Sequence, residues 1–309
     1  MDVALLVAKQ ILIMFLYMLC GYVLFRTKKI TKEGSGSLAS LLVWLVIPVV
    51  LVKSFCVEPT RERIIGLGLS TLAAIAAQGL SILVCRVVFK KRPVDHFAAA
   101  FSNAGFLGIP LVTATLGGDC VFYIVFFVAM LNILQWLYGV AVIQETKMQF
   151  HGKTLLHPLI LGTGLGLVLF FTGWGVKLPQ IITGTMAGIA AVNSPIAMLV
   201  MGVYLAQADM KTLWTDKHLY VLSLVRLVVI PLLTLGVFWI LQVLIPGFTS
   251  DILLALLLAA ICPVGANVAV YAQLHNKDYV YASKTVVIST LLCLVTMPFI
   301  VLLAQTLLK

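Results

Sequence analysis

Residues 96–118 read HFAAAFSNAGFLGIPLVTATLGG, an apolar stretch of membrane-spanning length that contains Asn103, Gly105, Gly108 and Pro110. Proline removes a backbone donor and clashes with the preceding helical turn, and glycine adopts non-helical dihedral angles at little cost. A regular helix is therefore not expected, and we predict a helix break that involves Gly108 and Pro110.

A second stretch has the same character. Residues 252–274 read ILLALLLAAICPVGANVAVYAQL, and Pro263, Gly265 and Asn267 fall within five residues of one another. In hydrocarbon, each backbone group freed by a break costs several kcal/mol unless protein or water satisfies it. We predict a second break at Pro263.

The composition around these stretches is that of a membrane protein. Hydrophobic residues make up 62% of the 309 residues and charged residues only 10%, whereas an average soluble domain is roughly 25% charged. Since a membrane-spanning helix needs about 20 mostly apolar residues, we predict one all-α membrane domain with ten spans. They cover residues 3–25, 36–55, 64–89, 94–116, 120–144, 154–174, 178–207, 215–244, 251–274 and 279–308. We name 94–116 the first interrupted segment and 251–274 the second interrupted segment.

The positive charge indicates the orientation of the chain. The net charge of +10 would suggest nucleic acid for a soluble protein, but here the basic residues lie between spans, where they orient the chain and meet lipid headgroups. One set of alternate loops holds 13 Lys and Arg residues and the opposite face holds 6. Short cytoplasmic loops carry the excess, so we predict a protein of the cell membrane with both termini outside.

The two interrupted segments are five spans apart, so each is the fourth span of a five-span half. The halves are residues 1–144 and 154–309, joined by a short cytoplasmic linker at 145–153. An odd number of spans per half places the halves in opposite orientations, and the second and seventh spans both carry a mid-span proline, Pro48 and Pro195. Interrupted segments at corresponding positions of inverted halves point to the substrate site of a transporter. The plainer interpretation is kinking or close packing, for which glycine and proline are ordinary in membrane helices.

Polar residues near the breaks are the candidate substrate-binding residues. The amino terminus of a broken helix exposes unpaired N–H groups and about half a positive charge, which favours an anion. Local capping of the broken helices, or a kink at Asn193, is the alternative. The candidates are Ser102, Asn103, Gly105, Asn193, Pro263, Gly265 and Asn267.

Arg226 and Lys284 are the basic residues that lie well inside predicted spans. Charges within a membrane are costly and often functional, although both side chains could instead snorkel to the interface. Such a charge could face an anionic substrate or stand in for a coupling ion. The eleven carboxylates all fall in loops or at span ends, which argues against a proton relay through a buried carboxylate. Sodium coupling through neutral oxygen ligands and uniport both stay open.

Three strings resemble the auxin efflux carrier family. They are SNAGFLGIPL at 102–111, CPVGANVAVYA at 262–272 and YASKTVVISTLLCLVTMPFI at 281–300. The likeness extends over the whole chain, and the short central loop is similar to that of bacterial members, which include transporters named for malonate and related acids. Plant members have a proline directly before the asparagine of the first break, where this chain has Ser102, so the geometry of that break stays open.

The resemblance implies a fold like that of bile-acid/sodium symporters, in which the two interrupted segments cross at their breaks and substrate binds beside the crossing. Asn103 matches the asparagine after the first break, and Pro263 matches the proline of the second. The family also implies a rigid part, a part that moves by an elevator-like or rocking motion, and often a homodimer.

These observations favour a secondary active transporter or uniporter of a small organic anion, a malonate-like or auxin-like carboxylate, with Na⁺ or H⁺ coupling undecided. The alternative is a sodium-coupled symporter of a neutral or amphipathic organic solute. An enzyme is not expected, because the sequence lacks HExxH, GxSxG and clustered Asp/His. A channel would more naturally show a filter repeated by oligomeric symmetry. The six single cysteines and five histidines show no ligand spacing, so we predict no metal, disulfide or cofactor, and no nucleic-acid partner.

Overall fold

The computed structural model describes residues 3–148, 156–207, 213 and 215–308. These residues are largely helical, and the extended pairing among them is an isolated antiparallel bridge between Ser102 and Val264. The main helices are α1 (Val3–Arg26), α2 (Lys32–Ser54), α3 (Arg61–Val88), α4 (Pro93–Ala100), α5 (Ala104–Thr115), α6 (Gly118–Gln144), α7 (Pro158–Phe171), α8 (Gln180–Gln207), α9 (Lys217–Leu244), α10 (Ser250–Ala260), α11 (Asn267–Leu274) and α12 (Tyr279–Leu307).

The helix lengths confirm an all-α membrane protein. In the described part of the chain, seven helices are long and apolar enough to cross a membrane, and α5, α7 and α10 are shorter apolar helices. The other three predicted spans contain these shorter helices, which are not long enough to count as membrane-spanning by themselves. The count of ten spans and the inverted repeat therefore stay predictions. Residues 149–153 of the predicted linker lie outside the described residues.

A π turn precedes each of three prolines, Pro48 in α2, Pro110 in α5 and Pro231 in α9. The turns span Leu42–Val46, Ala104–Gly108 and Val225–Val229. A proline ring clashes with the carbonyl four residues earlier, and a π turn widens the helix at that carbonyl. The predicted break at Gly108 and Pro110 is corrected accordingly: both residues lie inside α5, because the π turn accommodates the proline without ending the helix.

Helices α1 and α8 pack with their backbones close together. A Cβ atom added to Gly21 of α1 would overlap the carbonyl of Leu199, and one added to Gly202 of α8 would overlap the carbonyl of Met18. Small residues allow this approach, which replaces hydrophobic collapse as the means of helix association in lipid.

Both interrupted segments lie at the centre of the protein. Residues 95–104 and 252–266 are all buried. A helix that is buried all round belongs to the core of the molecule, so α4 and α10, with the breaks that follow them, are enclosed by the remaining helices. The broken backbone is therefore satisfied by protein.

Candidate functional site

The two breaks meet each other through their main chains. The N–H of Asn103 donates to the carbonyl of Pro263 at 2.9 Å, and the N–H of Gly265 donates to the carbonyl of Phe101 at 3.1 Å. We call residues 101–103 and 263–265 the junction. Each break supplies hydrogen-bond partners that the other lost by leaving the helix, and this satisfies the buried backbone as a lipid environment requires.

Gly265 is required by this close approach. A Cβ atom at Gly265 would lie 3.3 Å from the carbonyl oxygen of Ser102 and 3.4 Å from that of Phe101. On the far side of the bridge, the N–H of Val264 donates to the hydroxyl of Ser289 at 3.1 Å. A glycine at this position therefore lets two backbones pair where a larger residue would separate them.

The carboxyl ends of α4 and α10 lie on one side of the junction. The carbonyl of Ala100, the last residue of α4, accepts from the side-chain amide of Gln78 at 3.0 Å and from the hydroxyl of Ser81 at 2.9 Å. The last carbonyls of a helix have no partner within it. Two side chains of α3 thus complete the hydrogen bonding at the end of α4.

Arg226 also lies at the carboxyl ends of α4 and α10. Its side chain is 1% exposed, and its guanidinium donates to the carbonyl of Cys262 at 2.9 Å, to that of Ala99 at 3.2 Å and to that of Ala260. A fourth contact joins Nη1 to the hydroxyl of Ser81 at 3.5 Å. Snorkelling of Arg226 to the interface is therefore wrong, because buried backbone carbonyls next to the junction already provide its partners.

Lys284 has a different environment. It lies near the beginning of α12 and is partly exposed, so the snorkelling interpretation stays open for this residue. The structure does not bring Lys284 and Arg226 to one site.

The amino ends of α5 and α11 lie on the other side of the junction, and their first residues line a small pocket. Its side chains include no charged group. The lining residues are Val43, Ile47, Ser102, Asn103, Gly105, Phe106, Leu131, Asn132, Gln135, Leu159, Gly265, Ala266 and Asn267. The cavity is about 30 Å³ in volume, which is enough for a water molecule and too small for a carboxylic acid.

The polar side chains of this pocket have few strong partners. The amide nitrogen of Asn267 donates to the side-chain oxygen of Gln135 at 3.3 Å, and that of Asn103 contacts the sulfur of Met201 at 3.9 Å. The buried hydroxyl of Ser102 has no hydrogen-bond partner among the described residues. Donors and acceptors are therefore available here for a ligand.

Asn193 lies in a second and larger cavity of about 550 Å³. It is 3% exposed, and both polar atoms of its amide lack a partner among the described residues. Ser194, Lys53 and Gln10 line the same cavity, and so does Pro110 on α5. The predicted site residues that line a cavity thus fall into two cavities. Gly108 and Pro263 are in neither lining, and Gly108 instead lies close to Cys262 of the second break.

Several polar residues of these sites were missed by sequence reasoning. They share one signal, since each is an uncharged polar residue within an otherwise apolar predicted span, where it needs a partner. They are Gln78, Ser81, Asn132, Gln135 and Ser289.

One acidic residue at a span end is buried, which its position in the sequence did not indicate. Asp95 lies at the end of a predicted span, yet it is only 1% exposed. Its carboxylate forms an ion pair with the guanidinium of Arg92 at 2.9 Å. Helix α4 packs against α9 and α12, so a residue near the end of a segment is covered by neighbouring helices. The position of a carboxylate in the sequence did not reveal its burial.

The described residues thus form a helical membrane protein with two paired breaks and an uncharged pocket at two helix ends. The sequence profile of the family described as "Membrane transport protein" matches residues 6–154 and 148–301. The chain therefore belongs to this family, which confirms the resemblance to the auxin efflux carriers.

Two relatives are similar over nearly the whole chain. A protein of Rhizobium meliloti (strain 1021) named "Putative malonate transporter" is 26% identical over 297 residues, which cover 89% of each chain. A protein of Methanothermobacter thermautotrophicus named "Uncharacterized transporter" is 23% identical over 301 residues, 94% of this chain and 96% of the relative.

Proposed function

We propose that this protein is a secondary active transporter or uniporter that moves a small organic anion, a carboxylate of the malonate-like or auxin-like kind, across the cytoplasmic membrane by alternating access. The observation that carries the proposal is the junction, where two interrupted segments pair by their backbones beside a pocket of uncharged amides and hydroxyls. The name of the Rhizobium meliloti relative agrees with a carboxylate substrate.

The proposed architecture is ten spans in two inverted halves, with the interrupted segments crossing at the junction. The pairing of Asn103 with Pro263 and of Gly265 with Phe101 supports a crossing. The corresponding positions of the two segments in the sequence support the inverted repeat. We further propose that both termini are outside and that the protein is a homodimer.

The substrate carboxylate would bind at the amino ends of α5 and α11. The first N–H groups of a helix have no partner within it, and the helix dipole adds a partial positive charge. Asn103 and Asn267 add amide donors, and Ser102 adds a hydroxyl. A site of partial charges binds an anion without holding it as tightly as a full cation would, and release on the other side of the membrane requires this.

The two cavities support a substrate path along α2. Val43 and Ile47 line the small pocket, and one to two turns further on Val50 and Ser54 line the large cavity. Residues three or four apart share a face of a helix. Lys53 in the large cavity would attract an anion, and Asn193 would donate to it. Movement of the interrupted segments against α2 would then enlarge the small pocket to receive the substrate.

Transport in proteoliposomes tests this site. We expect Asn103→Ala and Asn267→Ala each to abolish uptake while the protein still folds and inserts, and Gln180→Ala, which changes an exposed amide of α8, to leave uptake unchanged. The substrate for the assay comes from a thermal-shift screen of monocarboxylates, dicarboxylates and indole acids. Neutral solutes, each with and without Na⁺, serve as controls. Wild-type uptake by both asparagine variants would exclude the pocket, and a response to neutral solutes with Na⁺ alone would favour the symporter alternative.

The orientation has a separate test. Cysteines placed at residues 2 and 309, in a background without the native cysteines, are expected to react with an impermeant maleimide applied to intact cells. Protection of both positions, with labelling only after lysis, would show that the termini are inside.

A further inference from the structure

Arg226 is a buried cation whose partners among the described residues are neutral oxygens. The ion pairs found in that part of the chain join Arg92 to Asp95 and Lys277 to Glu145, and neither involves Arg226. A buried charge without compensation costs several kcal/mol. The compensation must therefore come from the oxygens that surround the guanidinium.

Those oxygens come from both interrupted segments. Ala99 lies in the last turn of α4, Ala260 is the last residue of α10, and Cys262 lies in the second break. The carboxyl end of a helix carries about half a negative charge. Two such ends converge on one guanidinium, so their partial charges together balance about one positive charge.

The guanidinium has almost no capacity left for another ligand. Its five N–H groups are the whole donor set of an arginine side chain. Contacts with three carbonyls and with the hydroxyl of Ser81 use most of this set. The proposed substrate pocket does not include Arg226 in its lining. A role as counter-charge to the substrate therefore does not fit this geometry.

We propose that Arg226 is a resident cation that holds the two interrupted segments together at the position where three carbonyls and a hydroxyl would otherwise accept a metal ion. Neutral oxygens of this kind are the ligands of hard cations. The inference deepens the proposed function and rests on it for one consequence: the junction needs no Na⁺ at this point during transport. Because one side chain binds both segments, they move as a unit.

The test removes the Arg226 side chain and supplies a soluble cation in its place. Purified Arg226→Ala protein is compared with wild type by thermal melting in NaCl, in choline chloride of equal ionic strength, and in choline chloride with low millimolar guanidinium chloride. We expect wild type to melt at the same temperature in all three. The variant should melt lower in choline and regain at least about 3 °C with Na⁺ or guanidinium. Equal melting of the variant in all three solutions, or stabilisation of wild type by Na⁺, would overturn the proposal.

If the alanine variant is not recovered folded, Arg226→Lys tests the proposal instead. A lysine keeps the charge, so a folded lysine variant that is indifferent to Na⁺ supports a resident cation. Failure of the lysine variant to fold, or its stabilisation by Na⁺, would overturn it. Melting needs no substrate, so this result stands apart from the transport assay, whose failure would affect only the proposed function.

Discussion

The two sides of the junction differ in how completely their polar groups are satisfied. On the carboxyl side, Arg226, Gln78 and Ser81 bind buried carbonyls that end α4 and α10, with a full charge and several hydrogen bonds. On the amino side, the partner of the Asn103 side-chain amide among the described residues is a methionine sulfur at 3.9 Å, and the hydroxyl of Ser102 has no partner among them.

This difference indicates different roles for the two sides of the junction, one in stability and one in ligand binding. A buried polar group without a partner costs about 1–3 kcal/mol, so a fully satisfied side is stable in itself. An incompletely satisfied side gains from binding a ligand. We therefore propose that the carboxyl side holds the interrupted segments together and that the amino side binds the substrate. Substitutions on the first side should change stability, and substitutions on the second should change affinity.

The largest effect is expected at Gly265, which belongs to both sides. A leucine there would meet the carbonyl of Ser102 and the side chain of Gln135, since even a Cβ atom would lie 3.3 Å and 3.5 Å from them. Overpacking costs about 1–3 kcal/mol, and the side chain would also fill the pocket. We expect Gly265→Leu to lower the melting temperature and to reduce uptake to background. Gly236→Leu is the control, because that glycine of α9 is exposed and has open space beside it. Normal uptake by the Gly265 variant would remove the distinction between the two sides.

The next effect concerns the carboxyl side alone. The double variant Gln78→Leu, Ser81→Ala removes both hydrogen bonds to the carbonyl of Ala100. The free energy of unfolding should fall by about 1–3 kcal/mol, measured by denaturation in mixed micelles. The KM for the transported anion should change by less than about twofold. The single variant Gln78→Leu keeps the Ser81 bond and should lose less. A large rise in KM at unchanged stability would contradict this assignment.

A comparable substitution on the amino side should have the reverse effect. Gln135→Leu removes the partner of Asn267 and an amide of the pocket. We expect the affinity for the anion to fall about tenfold, or about 1.4 kcal/mol. The melting temperature should change little, because the freed amide belongs to Asn267, which is only partly buried. Gln207→Leu serves as a control, because that amide donates to the carbonyl of Val203 within α8 and is not in the pocket lining. Unchanged affinity in the Gln135 variant would mean that the substrate binds elsewhere.

The smallest effect is expected for Ser102→Ala. The hydroxyl of Ser102 makes no hydrogen bond with the described residues, so its removal should not lower the melting temperature. If the hydroxyl binds the substrate, affinity should fall by about threefold, the value of a modest hydrogen bond. Ser223 of α9 has a buried hydroxyl that also lacks a partner among the described residues and is not in the pocket lining, and Ser223→Ala should leave affinity unchanged. A clear loss of stability in the Ser102 variant would show that the hydroxyl has a structural partner.

Much of the fold follows from local patterns. Apolar runs of membrane length predicted the helices within a few residues, and the interruptions at Asn103 and Pro263 marked the two segments that meet. Position in the sequence was less informative about environment. Asp95 and Arg226 occupy ordinary positions, one near the end of a span and one inside a span, yet both are buried by contacts with distant helices. The break predicted at Gly108 and Pro110 was wrong, because a π turn lets a helix contain a proline that a regular helix would exclude.

The sequence by itself therefore determined that the chain is an all-α membrane protein with two interrupted segments, because burial in lipid imposes length, apolarity and internal hydrogen bonding on every segment separately. Only the tertiary structure decided that the two breaks satisfy each other, that Arg226 binds the carboxyl ends of both segments, and that Asn193 lies in a cavity apart from Asn103. Those facts depend on contacts between residues at least 34 positions apart, and no local pattern encodes which distant backbone group a freed N–H or a buried guanidinium will meet.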